Sequence, residues 1–126
     1  MNDFITTDSG KREQYATGAQ RDTEEGKGRF DLIPHAGLLR LAELYRRGAV
    51  KYDDHNWRKG IPTTRAYSSM IRHAHEAAEV YTCTQLGKES PLANEDHLAA
   101  VVFNAFIIIQ NEADAEETSC HNPSET

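Results

Sequence analysis

Residues 72–104 read RHAHEAAEVYTCTQLGKESPLANEDHLAAVVFN, and the spacing within this stretch decides the fold. Arg72, Glu76 and Glu79 lie four and three apart, so they share one helical face. Ala74, Ala78 and Tyr81, with Tyr67 and Met70 or Ile71 just upstream, make the apolar stripe of the same helix. Gly87 fits a C-terminal stop. Ser90-Pro91 then reads as cap and first turn of a further helix, with Leu92, Leu98, Ala99, Val102, Phe106 and Ile109 facing the core. Two such helices with a short connection bring His75-Glu76-x-x-Glu79 and Glu95-Asp96-His97 within reach of one cavity. Clustered carboxylates on facing helices are how an all-helical protein holds hard cations such as Mg²⁺ or Mn²⁺, and such cations are the usual means of hydrolysing a phosphate chain.

The preceding segment adds a third helix. Thr63 or Thr64 caps the acidic helix, which runs to about Leu86. Pro34 suits a helix start, and from His35 to about Tyr52 the residues Leu38, Leu41, Ala42, Tyr45, Ala49 and Tyr52 recur three or four apart. Gly48 costs about 1 kcal/mol relative to Ala and marks a point where that helix could end early. Residues 53–63 form a loop around Trp57. Residues 1–28 are polar, contain four glycines and are expected to be an arm with little regular structure. The organisation expected is an arm over 1–28, a helical domain over 29–112 and an acidic, fraying tail over 113–126. The fold class is all-α, with three main helices. They are short, and the last is apolar nearly all round from Leu98 to Ile109, so a homodimer or homotetramer is expected to complete the core.

At 126 residues the chain makes one domain. Its net charge of −6 is uneven: residues 112–126 hold five carboxylates and no Lys or Arg, while residues 30–111 balance nine acids with nine bases. No basic excess exists to displace counterions, so duplex nucleic acid is not the expected partner. A small anion fits better, since Lys51, Arg58, Lys59, Arg65 and Arg72 fall close together. Cys83 and Cys120 stand apart, Cys120 in the polar tail, which argues against a structural disulfide and for a reducing compartment. Cys83 is expected to be buried. No apolar run follows Met1, and the Leu98–Ile109 stretch, interrupted by Asn104, is too short to span a bilayer. The expectation is a cytoplasmic chain with no membrane partner.

Each polar motif has an ordinary reading beside the chemical one. Arg72–Glu76 is an i,i+4 pair of a solvated face, or Glu76 and Glu79 are ligands. Glu95 and Asp96 favour a helix N-terminus, or they repel the first acid pair until a cation joins them. Asn104, amid apolar residues, needs a hydrogen bond: an inter-helix contact, or one to ligand. Trp57 caps the core edge, or it faces a ligand in a loop with Lys59 near phosphate. His73 and His75 flank the same region. A closed zinc site lacks the necessary Cys/His spacing, and no Gly-rich phosphate loop is present.

Residues 17–34 (TGAQRDTEEGKGRFDLIP) resemble the N-terminal signature of the phage dATP/dGTP diphosphohydrolase family. The likeness continues in Gly48-Ala49-Val50-Lys51-Tyr52, in Asn56-Trp57-Arg58-Lys59-Gly60-Ile61-Pro62, in Arg72-His73, and in Glu95-Asp96-His97-Leu98-Ala99-Ala100 with Asn104. It covers about residues 10–112. The resemblance implies a MazG-like, all-α nucleoside triphosphate pyrophosphohydrolase that releases a monophosphate and pyrophosphate with Mg²⁺ or Mn²⁺. Phage members acting on dGTP are associated with dGMP supply for 2-aminoadenine deoxynucleotides. In the wider superfamily the ligands follow E-E-x-x-E and E-x-x-D. Here His75 stands in the leading position of the first pattern, and in the second Glu95 and Asp96 are adjacent with Leu98 where the acid falls.

The expected roles follow. Glu76, Glu79 and Asp96 are metal ligands, with Glu95 a further candidate. One of these carboxylates, or His97, orients or deprotonates the attacking water. Lys51, Lys59 and Arg72 balance phosphate charge, Asn56 and Trp57 border base or sugar, and Asn104 contacts ligand or metal-bound water. The competing expectation is a nucleotide-binding or helical interaction module on the same scaffold without catalysis.

Overall fold

The computed structural model describes residues 3–120, with side chains through residue 118. It divides into two compact units, one ending at Ile33 and one beginning at Pro34.

The first unit holds an antiparallel hairpin of β1 (Arg12–Gln14) and β2 (Gln20–Asp22), with Arg12 opposite Asp22, Glu13 opposite Arg21 and Gln14 opposite Gln20. The rest of residues 3–29 is neither helix nor strand, in keeping with an arm of little regular structure. Two of the three facing pairs carry opposite charges, which favours the ladder, and Gly18, at φ +88°, supplies the left-handed backbone of the turn. Asp22 gathers Ser9 Oγ at 2.5 Å together with Arg12 and Lys27. Chiefly the Ser9 hydrogen bond holds its carboxyl below the ordinary range. A 3-10 turn follows at Phe30–Leu32.

The second unit is all-α. Helix α1 spans His35–Lys51 and runs through Gly48 rather than stopping there. The amide of Tyr52 closes it by donating to Gly48 O. A loop with a 3-10 turn at Asn56–Lys59 leads to α2, Thr63–Gln85. The end of α2 is a Schellman motif: Lys88 N donates to Cys83 O at 2.8 Å, Gly87 N donates to Thr84 O, and Gly87 sits at φ +69°.

The third helix departs from expectation at both ends. Ser90 does cap a turn, its Oγ accepting from Leu92 N, but that turn is a 3-10 piece at Pro91–Asn94 that ends in the extended residue Glu95. Helix α3 spans His97–Cys120, beginning seven residues after Ser90. Asp96 starts it: Oδ1 accepts from Ala99 N at 3.1 Å, and its carbonyl accepts from Ala100 N. At the other end α3 continues past Asn111 instead of fraying. Ala113, Ala115 and the glutamates are good helix formers, and Gln110 Nε2 donates to Asp114 Oδ1 one turn on. The tail beyond Cys120, including Glu125, lies outside the described residues.

The packing is led by α2 against α3, with Ala66, Ile107 and Ile108 at its centre and Trp57, Ile61, Met70 and Phe103 against them. Asn111 Nδ2 ties α3 to the start of α2 by donating to Ile61 O (2.9 Å) and Thr63 Oγ1 (3.0 Å). Helix α1 leans on α3 through Tyr45 and Phe103, whose ring centroids are 5.0 Å apart. Much apolar surface stays open: Leu38 and Val50 on α1, Tyr67 and Ile71 on α2, and Leu98, Phe106 and Ile109 on α3. Cys83 is half-buried and free rather than buried. With its added turns, His97–Thr118 reaches the length and mean hydropathy (1.3) of a membrane-spanning helix, correcting the expectation that the apolar run is too short. It is hydrogen-bonded to α2 through Asn104 and Asn111.

Candidate functional site

The face shared by Arg72, Glu76 and Glu79 on α2 also carries His73, three residues before Glu76. The Ser90–Asp96 connection starts α3 with His97 turned toward that face. His73 and His97 are 9% and 3% exposed, while the Glu76 side chain is 20% exposed. His97 Nδ1 lies 2.9 Å from His73 Nδ1 and 3.0 Å from Glu76 Oε2, and His73 Nδ1 lies 3.6 Å from the same oxygen. The outer nitrogen of His97 donates to Leu92 O at 2.6 Å, which fixes that ring. Arg72 donates through Nη1 to both Glu76 oxygens (3.0 and 3.1 Å), and its Nη2 stands 3.3 Å from His73 Nε2.

These neighbours set the electrostatics. The Arg72 hydrogen bond is the main reason that the Glu76 carboxyl is held below its ordinary value. Burial pushes the His73 pKa down, and the positive charge of Arg72 pushes it further, against the opposing pull of Glu76 and Glu95.

Among the described residues, His73, Glu76 and His97 form a group whose ligand atoms converge; Glu79, Glu95 and Asp96 lie outside it. Glu79 is exposed and accepts from Cys83 Sγ at 3.5 Å. Asp96 is engaged twice, as the cap of α3 and in a two-point pair with Arg40 of α1 (2.5 and 2.8 Å), the main cause of its lowered pKa. An all-carboxylate cation site from α2 and the start of α3 is therefore not assembled in this arrangement. The donors that do converge suit a cation through two imidazoles and one carboxylate.

His73 also lines a cleft of about 1720 Å³ bounded by all three helices. Its wall includes Lys51, Asn56, Trp57, Arg65, Glu95, Asp96 and Asn104. Asn104, 7% exposed, donates to Ser69 Oγ at 3.3 Å and to Ala100 O at 2.8 Å, the inter-helix alternative among its two readings. Trp57 packs against the core cluster, the first of its two readings, carries Arg58 over its ring at 4.8 Å and lines the cleft. Lys51 stands at the end of α1 near the Tyr52 ring. Lys59 pairs with Asp53 at 3.4 Å and, like Arg72, is not part of that wall.

Arg40 as the partner of Asp96, and His73 as a neighbour of Glu76 and His97, escaped the sequence reading. For His73 a signal was present, since H-x-x-E at i,i+3 puts imidazole and carboxylate on one helical face. For Arg40, 56 residues from Asp96, there was none.

Fold and site together define a helical protein whose α2–α3 seam holds a His–Glu–His cluster at the edge of a cleft whose wall mixes basic, acidic and aromatic side chains. The family model for the dATP/dGTP diphosphohydrolase N-terminal domain matches residues 17–120, and the chain belongs to that family. No curated protein and no solved structure matches the chain.

Proposed function

We propose that this member of a hydrolase family is a metal-dependent hydrolase of the deoxypurine triphosphates dGTP and dATP, releasing the monophosphate and pyrophosphate. The observation that carries the reading is Glu76, a largely buried carboxylate held against two buried histidines, one of which opens onto the cleft. The cleft is an open groove whose volume exceeds the roughly 300–1,000 Å³ usual for a small-ligand pocket, which leaves room for a nucleotide.

In this reading His73, Glu76 and His97 hold the cation. When bound, it neutralises phosphate charge and makes water more acidic. Lys51 and Arg65 meet the phosphates, and Asn56, Trp57 and Asn104 border base and sugar. Glu95, on the cleft wall, is the further acid placed to accept a proton from water. Asp96 and Glu79 join only if the chain rearranges, Asp96 leaving Arg40. Lys59 and Arg72 reach phosphate only by giving up Asp53 and Glu76. The open apolar faces of the helices support a homodimer or homotetramer. Cytoplasmic remodelling of a phage host's nucleotide pool, including dGMP supply for 2-aminoadenine deoxynucleotides, is the setting proposed.

The test is to incubate the protein with dGTP, dATP, dCTP, dTTP and GTP with Mg²⁺ or Mn²⁺ and resolve products by ion-exchange chromatography. A monophosphate and pyrophosphate from the deoxypurines, abolished by EDTA and by Glu76→Gln, is expected. Turnover retained in Glu76→Gln sinks the site, and no turnover of any nucleotide sinks the activity. One observation favours a nucleotide-binding module instead: Glu76 and Asp96 are each already neutralised by an arginine, Arg72 and Arg40.

A further inference from the structure

The inward atoms of the cluster present an unbalanced set. His97 Nε2 carries the proton donated to Leu92 O, so in the singly protonated ring Nδ1 is a bare lone pair. His73 Nδ1 can donate to it across 2.9 Å, leaving His73 Nε2 to accept from Arg72. Glu76 Oε2 then faces the His97 lone pair at 3.0 Å with no proton between them. Of the three inward atoms His73 Nδ1 is the one donor, it reaches only His97, and Glu76 Oε2 is served from its far side by Arg72 Nη1 at 3.1 Å, so nothing joins His97 to Glu76. A cation at their centre satisfies all three.

We infer that His73 Nδ1, Glu76 Oε2 and His97 Nδ1 form a binding site for one first-row transition ion, of the Zn²⁺ or Co²⁺ kind, rather than for Mg²⁺. The dimensions fit. Ligands about 2.1 Å from an ion are separated by about 3.0 Å at octahedral and about 3.4 Å at tetrahedral angles; the three separations here are 2.9, 3.0 and 3.6 Å. Imidazole selects transition ions, whereas Mg²⁺ takes oxygen ligands and keeps its waters. The hydrogen bond from His97 Nε2 to Leu92 O is the outer contact that orients a ligating imidazole. Three protein ligands leave further positions open for water or phosphate oxygen. Loading has a consequence for Arg72. With Nδ1 on the metal, the His73 proton moves to Nε2, where the Arg72 donor now stands at 3.3 Å, so the guanidinium must swing away. As the cation of the proposed hydrolase the site rests on that reading; as a binding site it stands on this geometry alone.

The test uses the full chain freed of metal by EDTA. Long-range ¹H–¹⁵N spectra report which nitrogen of each histidine carries a proton. The expected result is that His73 is protonated at Nδ1 without metal, and that one equivalent of Zn²⁺ turns both His73 and His97 into rings with Nδ1 bound and Nε2 protonated. Co²⁺ should give visible absorption that is lost in His73→Gln and in Glu76→Gln and that survives a hundredfold excess of Mg²⁺. Rings unchanged by Zn²⁺ in the wild-type chain overturn the inference. So does Co²⁺ absorption that persists in folded His73→Gln and Glu76→Gln, or that Mg²⁺ removes. Product analysis separates the two proposals. Metal bound at these rings without nucleotide turnover refutes the hydrolase and keeps the site; turnover with Mg²⁺ and silent rings does the reverse.

Discussion

Asp96 offers the sharpest test of how the site is built, because a ligand and a helix cap respond differently to the same substitution. In Asp96→Ala two contributions vanish. The first is the cap on Ala99 N, worth about 1 kcal/mol within a range of roughly 0.5–2. The second is the ion pair with Arg40. The Asp96 side chain is 19% exposed but Arg40 is 55% exposed, so solvent screening limits this pair to about 1 kcal/mol or less. The expected total is about 1.5 kcal/mol, which for a domain near this size lowers Tm by roughly 5–10 °C. Asp96→Asn separates the parts. Asparagine caps as well as aspartate, so only the ion pair is lost and the cost stays under about 1 kcal/mol. Urea denaturation followed by circular dichroism, with Arg40→Ala and the double variant, measures both terms. The Arg40 hydrogen bond, the first of several causes, holds the Asp96 carboxyl below its ordinary 3.8. The stability it contributes is therefore present above about pH 3.8 and lost as pH falls below that value. The reasoning is refuted if Asp96→Ala costs nothing, or if Asp96→Asn costs as much as Asp96→Ala.

Three further outcomes are expected. Burial and Arg72 lower the His73 pKa below 6.5; the unfolded chain then binds the extra proton first, so Tm should fall as pH drops below about 6.5, and a His73→Gln variant should lose that part of the slope in melts between pH 5 and 8. Asn104→Leu removes the donor to Ser69 and Ala100 and should cost about 1–3 kcal/mol by urea titration; a neutral result would mean the amide contributes no net stability. Phe106 and Ile109, 47% and 59% exposed in the single chain, should lie in a subunit interface, so Phe106→Glu with Ile109→Glu should shift sedimentation from dimer or tetramer to monomer. A wild-type monomer would remove that proposal.

Local spacing carried the helices because a helix is written in its own residues. The three-and-four spacing placed α1 and α2 but not the buried faces. Ala74, Ala78 and Tyr81 of the expected α2 stripe are exposed while Ala66 and His73 are buried. On α3, Leu98, Val102, Phe106 and Ile109, expected to face the core, are exposed while Ala99, Ala100, Ile107 and Ile108 are buried. Gly87 marked the end of α2 because its left-handed backbone is a local demand. Where two local signals competed, the spacing misled. Ser90-Pro91 is a good start, but Asp96 is another, and the chain uses both, with extended Glu95 between them. The hairpin of residues 12–22 was missed because each strand is three residues long and gains its stability from the strand opposite.

At the site, the sequence by itself determined that Glu76 shares a helical face with Arg72 and that acidic and imidazole groups gather near residues 73–97, since i,i+3 and i,i+4 neighbours need no tertiary information. Only the tertiary structure decided which groups meet. Packing of α2 on α3 brought His97 to His73 and Glu76 across 24 and 21 positions, and the lean of α1 delivered Arg40 to Asp96 across 56. A carboxylate counted along the chain is a possible ligand; which cation holds it depends on distances that the chain fixes only when it folds.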